Sequence, residues 1–275
     1  MSALDWGAGT GTNATPRYYT LATPALGASD FAIFCWVRRN ATEGSNDQRL
    51  WGIGNGDTTD SLYQYIGENG GGGRPVGSDV INSSAVTWYN GAPALGAVKT
   101  DGLAYLCGVQ LRSGTFETYC IRNGLSATRN DFATGVSGTF SAQAAARIGS
   151  DPGGTSGYLR NPLGDWVLFD NRSFSLAELT TLASGAPVTA IATPLIWLRF
   201  RSGAVATEVN QGSGGATYNA TMVSSGFTTV PDFFIDPYVD AKATVPTYRL
   251  DARSGLYLQD DRITNADMVD VRAWW

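Results

Sequence analysis

Histidine is absent from all 275 residues of the chain. That absence excludes serine or cysteine catalysis driven by an imidazole base, together with every metal site built on imidazole ligands. Lysine is nearly missing too: Lys99 and Lys242 stand alone among the basic residues, the rest being arginine. With a formal net charge of −5 and no cationic run, the sequence lacks the face that a nucleic-acid partner needs to neutralise its phosphates. No apolar run approaches the roughly twenty residues of a membrane-spanning helix, and no charged-then-apolar leader opens the chain. The expectation is a protein without membrane insertion that folds in its producer's cytoplasm. Glutamate is sparse as well, and Glu43, Glu68, Glu117, Glu178 and Glu208 are isolated from one another. Three cysteines, Cys35, Cys107 and Cys120, are too few for a disulfide framework.

Glycine is what the chain has in quantity. Its 34 glycines and a charged fraction of only 16% suit short strands joined by tight turns. Asn-Gly pairs begin at Asn55, Asn69, Asn90 and Asn123, and both residue types tolerate the positive φ of hairpin turns. Strand-like runs are predicted at Tyr18–Thr23, Phe31–Arg38, Leu50–Ile53, Leu62–Ile66, Val86–Tyr89, Tyr105–Leu111, Phe116–Arg122, Ala146–Gly149, Asp165–Phe169, Leu195–Phe200 and Thr217–Val223. Glu68–Pro75 reads as a glycine-rich loop; it lacks the Lys-Ser/Thr and following helix of a phosphate cradle.

The cysteine spacing gives a register. If Ser113-Gly114 is a two-residue hairpin loop, Cys107 faces Cys120 at a non-hydrogen-bonded site, where Cα atoms are about 4.5 Å apart and a bridge is conceivable. In a protein folded in a reducing compartment, however, buried thiols are the expected state.

The segment Arg147–Gly185 combines a Gly-rich loop, an apolar strand at Gly164–Asp170 and a short helix beginning at Ser175. Leu176, Leu179 and Leu182 recur at helical spacing, Ser175 and Glu178 form a capping box, and Gly185 stands where a C-terminal glycine belongs. One short helix among strands predicts a lid on a β-sandwich. The segment resembles the laminin G-like branch of the concanavalin A-like jelly rolls. Asp30–Arg38 (DFAIFCWVR) and Tyr119–Gly124 (YCIRNG) resemble two further strands of that family, so the likeness spans roughly residues 15–225. It implies an all-β, antiparallel β-sandwich jelly roll with one short helix and an extended C-terminal arm. The domain layout read from the chain is an extended lead-in at 1–15 with Trp6 as an anchor, a sandwich at 16–228, and an arm for assembly contacts at 229–275. Calcium and sugar ligands of the family have no residue-by-residue counterpart here.

Site candidates therefore come from the residues themselves. Trp36, Trp166 and Trp197 lie in apolar strands and read as core. Trp51, Tyr63, Tyr65, Trp88, Tyr89 and Tyr158 lie nearer Gly- or Asn-rich loops, where flat rings can stack on sugar faces, fill a protein interface or pack into the core. In the arm, Phe233, Phe234, Tyr238, Tyr248, Tyr257, Trp274 and Trp275 are candidate contacts to other subunits, and Tyr248–Leu250 with Leu256–Leu258 suggests a small hairpin. No cofactor is expected. Calcium is the metal the family resemblance leaves open, with Asp57, Asp60, Asp151 and Asn161 as loop oxygen donors. The chain resembles the sandwich modules that bacteriophages carry on tails, fibres or capsids. That resemblance implies a non-enzymatic virion protein of the tail or tail fibre, displaying its sandwich toward a host-surface glycan and contacting other virion proteins and copies of itself. A capsid decoration protein that clamps capsomers through its arm is the alternative. A divergent glycan hydrolase is a third reading, but the E-x-D-x-E strand face that sets two carboxylates about 5.5 Å apart does not occur.

Overall fold

Alternating burial decides how the sheets are layered. In β3 (Phe31–Arg38), Phe31, Ile33, Cys35 and Val37 join one apolar cluster while Ala32, Phe34 and Trp36 join another. A strand buried on both faces belongs at the centre of a layered structure. In the computed structural model, which describes residues 2–5, 17–26, 29–38, 48–54, 61–66, 74–82, 85–89, 97–98, 103–128, 132–137, 145–155, 157–200, 205–223, 228–231, 248–251 and 255–258, β3 is the middle strand of its sheet. That sheet is ordered β11 (Phe132–Ser137), β10 (Thr115–Arg122), β9 (Ala104–Arg112), β3, β13 (Pro162–Phe169), β1 (Ser2–Asp5) and β17 (Thr228–Pro231). The far edge of β13 is shared, with β1 opposite Pro162 and Leu163 and β14 (Ile196–Leu198) opposite Trp166–Leu168.

The second sheet runs β15 (Thr207–Glu208), β16 (Ala220–Met222), β2 (Tyr19–Leu21), β12 (Ala145–Ile148), β4 (Gln48–Gly54), β5 (Ser61–Ile66), β6 (Arg74–Asn82) and β7 (Ala85–Tyr89), with β8 (Ala97–Val98) also on β6. Every strand pairing described is antiparallel. Between the sheets, Ile33, Val109 and Trp166 from one side share a cluster with Leu50, Ile53 and Ile148 from the other. Burying such side chains supplies about 1.5–3 kcal/mol apiece.

Two register shifts adjust which side chains reach this core. One in β13 between Leu163 and Trp166 lets both face inward although their sequence parity differs. Another in β4 between Arg49 and Trp51 lets the consecutive Leu50 and Trp51 both join the core, because a bulge breaks the two-residue alternation.

The opposite face of the first sheet is closed by α1 (Leu176–Ala183), whose Leu179, Leu182 and Ala183 share a cluster with Phe34, Ile121 and Phe169. The local chemistry is as the sequence predicts. Glu178 N donates to Ser175 Oγ at 3.3 Å, and Ser175 N donates to Glu178 Oε2 at 2.8 Å. At the other end Gly185 takes φ 89°; its N–H bonds Leu182 O and that of Ala186 bonds Thr181 O, the paired bonds of a Schellman motif. Gln110 ties the lid's entry to the sheet, its amide bonding the backbone N–H and C=O of Phe174 at 2.9 and 3.1 Å. The β9–β10 turn has φ 49° at Ser113 and 77° at Gly114, as a two-residue hairpin requires, and Cys107 indeed faces Cys120.

The ends of the sandwich differ from expectation. Residues 1–15 are not merely a lead-in, because Ser2–Asp5 forms a strand between β13 and β17; Trp6 lies outside the described residues. The expected domain boundary at 228/229 cuts through β17, and the compact unit extends to Phe234. Arg74 and Pro75, read as loop, open β6. The second unit, Ile235–Trp275, contains the hairpin β18 (Tyr248–Asp251) and β19 (Gly255–Leu258), one residue longer on each strand than expected.

Candidate functional site

The face of the second sheet turned away from the core carries a row of arginine and tyrosine. Strand alternation places it there: Ala146 and Ile148 of β12 point inward, leaving Arg147 outside, and Leu62 and Ile66 of β5 point inward, leaving Tyr63 and Tyr65 outside. The register runs Thr20, Arg147, Gly52 and Tyr63 across β2, β12, β4 and β5. Arg49, opposite Tyr65, sets its guanidinium carbon 4.4 Å from the Tyr63 ring centre and 4.9 Å from that of Tyr65, within cation–π range.

A loop spanning 149–160 folds over this face. Gly52 makes room for it, since a Cβ there would come within 2.7 Å of the Pro152 ring. Arg49 N donates to Gly157 O at 2.6 Å, and Leu159 N to Gly149 O at 2.8 Å. Asp151 is buried and spends its carboxylate inside the loop: Oδ1 accepts from Thr155 N at 2.8 Å and Oδ2 from Thr155 Oγ1 at 3.2 Å. The turn uses φ 70° at Gly154 and 62° at Gly157, values that favour glycine. So held, the loop stacks Tyr158 on Tyr18, with ring centres 6.3 Å apart and planes 5° from parallel. Tyr158 Oη donates to Gly154 O at 3.0 Å, and burial beside Asp151 and Tyr18 raises its pKa. The guanidinium carbon of Arg147 lies 5.7 Å from the Tyr18 ring. Both Tyr18 and Arg147 are half-buried, and among the described residues nothing accepts from Arg147 Nε.

Of the six predicted glycan-contact residues, the structure brings three to this face, Tyr63, Tyr65 and Tyr158. Tyr63 and Tyr65 are only 2% and 4% exposed, so they form a supporting layer under Arg49 rather than an open platform. Trp51 is fully buried between the sheets; the bulge beside it, invisible in the sequence, removes it from any surface. Trp88 and Tyr89 lie on β7, where Trp88 stands opposite Asp79, in the lateral row of Tyr63, and Tyr89 opposite Ser78, in the row of Gln64. The residues that sequence reading passed over are Tyr18, Arg147 and Arg49. The available signal was in β12, where Arg147 stands between the inward-facing Ala146 and Ile148. Phe233, Phe234, Tyr238, Trp274 and Trp275 lie outside the described residues, as do Glu43, Glu68, Asp57 and Asp60. Tyr248 and Tyr257 lie on β18 and β19.

Several of the described acids bond within the fold. Glu117 accepts from Gln110 Nε2 at 2.6 Å. Glu178 caps α1 and pairs with Arg172; the backbone N–H of Ser175 is the main cause holding its pKa down. Glu208 accepts from the N–H groups of Phe200 at 3.0 Å and Arg199 at 3.2 Å, yet burial raises its pKa. Asp165 accepts from Trp197 Nε1 at 2.8 Å, and Asn161 donates to Gln48 Oε1 at 3.1 Å. Among the described residues no group of three or more acidic or cysteine side chains converges as a metal site.

In fold the chain is similar to a native heptameric SAP-like pentraxin from Limulus polyphemus, with a TM-score of 0.53 at 10% identity over 85% of this chain and 97% of that one. The fold is a concanavalin A-like jelly roll. This jelly roll also has weaker likenesses to a full-length tailspike protein from an Escherichia coli bacteriophage (TM-score 0.42, 11% identity, 62% of this chain and 22% of the tailspike) and to domains LG4-5 of the mouse laminin alpha1 chain (TM-score 0.37, 15% identity, 64% and 43%). No family model and no curated protein matches the sequence.

Proposed function

We propose that this jelly roll is a non-enzymatic component of a bacteriophage virion, attached to the tail or its fibre, whose second sheet recognises a host-surface glycan. The observation that carries the reading is the Tyr18–Tyr158 stack with Arg147 beside it, held on the outer sheet face by the loop at 149–160. Tyr158 is itself buried and backs Tyr18, whose half-buried ring gives a sugar an apolar face to stack on, and a guanidinium offers planar donors to its hydroxyl or carboxylate oxygens. The scaffold around it is rigid, since sheet register fixes Arg147 and glycine turns fix Tyr158, so little ordering cost accompanies binding.

The test is binding of host-surface polysaccharide to the purified chain by calorimetry, with Tyr18→Ala and Arg147→Ala in parallel. Saturable binding that weakens at least tenfold in both variants is the expected result. Equal binding by all three proteins removes the site, and shortening of the polysaccharide by the unaltered chain removes the non-enzymatic reading. Mass spectrometry of purified tails and of purified capsids tests the location.

A second reading, capsid decoration through the C-terminal unit, draws on β18–β19. Its register alternates the pairs Tyr248–Leu258 and Leu250–Leu256 with Arg249–Tyr257, and a lone two-stranded hairpin is marginal in water without something to pack against. Residues 235–275 then dock the protein on neighbouring subunits in either location.

A further inference from the structure

The three cysteines form one lateral row across the first sheet. Cys35 on β3 faces Cys107 on β9, and Cys107 faces Cys120 on β10. All three are buried thiols in the inter-sheet core, and the sulfurs of Cys107 and Cys120 lie 3.7 Å apart.

The two sides of Cys107 are not equivalent. Counting back from the Ser113–Gly114 turn, hydrogen-bonded and non-hydrogen-bonded pairs alternate, and Cys107–Cys120 falls on a non-hydrogen-bonded one. The backbone N–H and C=O of Cys107 therefore point toward β3, which makes Cys35–Cys107 a hydrogen-bonded pair. Cβ atoms come closer in non-hydrogen-bonded pairs, near about 4.5 Å against about 5.5 Å. A disulfide needs roughly 3.5–4.5 Å between them. The sheet thus presents three thiols and geometry for one bond.

We infer that Cys107 and Cys120 are an oxidisable pair that a peroxide converts to a cross-strand disulfide, leaving Cys35 as a thiol. One thiolate of the pair attacks a peroxide oxygen and expels hydroxide, becoming a sulfenic acid. The other sulfur displaces that hydroxyl and closes the bond, so two thiols and one hydrogen peroxide yield one disulfide and two waters. Burial raises the pKa of Cys107, which keeps its thiolate scarce while the strands are closed. Reaction therefore proceeds through opening of β10, which lies one strand in from the sheet edge at β11.

The experiment uses the full chain, purified under reducing conditions, exposed to hydrogen peroxide, alkylated in denaturant and digested with trypsin without reduction. Cleavage after Lys99, Arg112 and Arg122 puts Cys107 in peptide 100–112 and Cys120 in peptide 113–122, while cleavage after Arg17 and Arg38 puts Cys35 in peptide 18–38. The expected product is 100–112 joined to 113–122, with 18–38 carrying the alkyl group and a melting temperature raised by about 5 °C or more that falls again with reductant. Cys35→Ser should leave the joined peptide intact. Linkage through 18–38, sulfinic acid in place of the link, or complete alkylation of all three after oxidation would overturn the assignment.

Discussion

Gly108 shows how single atoms decide this core. It lies on β9 directly opposite Tyr119, and a Cβ built on it would stand 2.3 Å from the tyrosine ring. Tyr119 is fully buried, so the ring has nowhere to retreat, and overpacking of this kind costs roughly 1–3 kcal/mol. Gly108→Ala should lower the urea midpoint accordingly; an unchanged midpoint would mean that the ring can leave the glycine. Glu208 supplies a pH dependence. Its folded-state pKa lies above the usual glutamate value because burial disfavours the charge more than two backbone N–H groups favour it. Folding then holds the proton more tightly, so Glu208 contributes stability below an unfolded pKa of about 4.3, and that stability is lost as pH rises through the raised value. Glu208→Gln stays neutral and keeps an oxygen for the N–H groups, so the melting temperature of the variant relative to the parent should rise from about pH 4 to about pH 7. A flat difference would show that Glu208 titrates normally. Legibility at this scale followed locality. Ser175, Glu178 and Gly185 were readable because their partners lie within a few residues, whereas Trp51 was not, because a bulge in β4 reverses the alternation that sequence pattern assumes.

At the scale of elements, the same rule separates α1 and the β9–β10 hairpin from β1 and β17. The former carry their own stop signals. The latter are strands because each meets a partner more than two hundred residues away. The start of β6 was missed for a different reason: it pairs with its chain neighbours β5 and β7 but includes Pro75, Gly77 and Asp79, residues that disfavour strands by themselves. The pairing of β17 with β1 also relocates the end of the sandwich. A chain ending after Phe234 should melt close to the full chain, because residues 1–234 form a compact unit. A chain ending after Phe227 loses β17, strips one edge from β1 and should melt clearly lower. Equal melting of both truncations would show that β17 adds nothing to the sheet.

On the scale of the whole molecule, the jelly roll was legible as a class from turn spacing, the lone capped helix and the aromatic strands, while the candidate site was legible only in part. Tyr158 was recognisable from its glycine-flanked loop, but Arg147 and Tyr18 come together through strand order, which no local pattern encodes. The strand that closes the first sheet has a further consequence. Ser2 pairs with Pro231, more than two hundred residues later in synthesis, so an early-made strand waits for a late-made one while β13 offers it an incomplete edge. Contacts of such long range slow folding, and an unpaired edge is the usual template for mispairing between nascent chains. A translating ribosome would have delivered nearly the whole jelly roll before its sheet could close, which makes this protein's vulnerable moment the interval between emergence and closure.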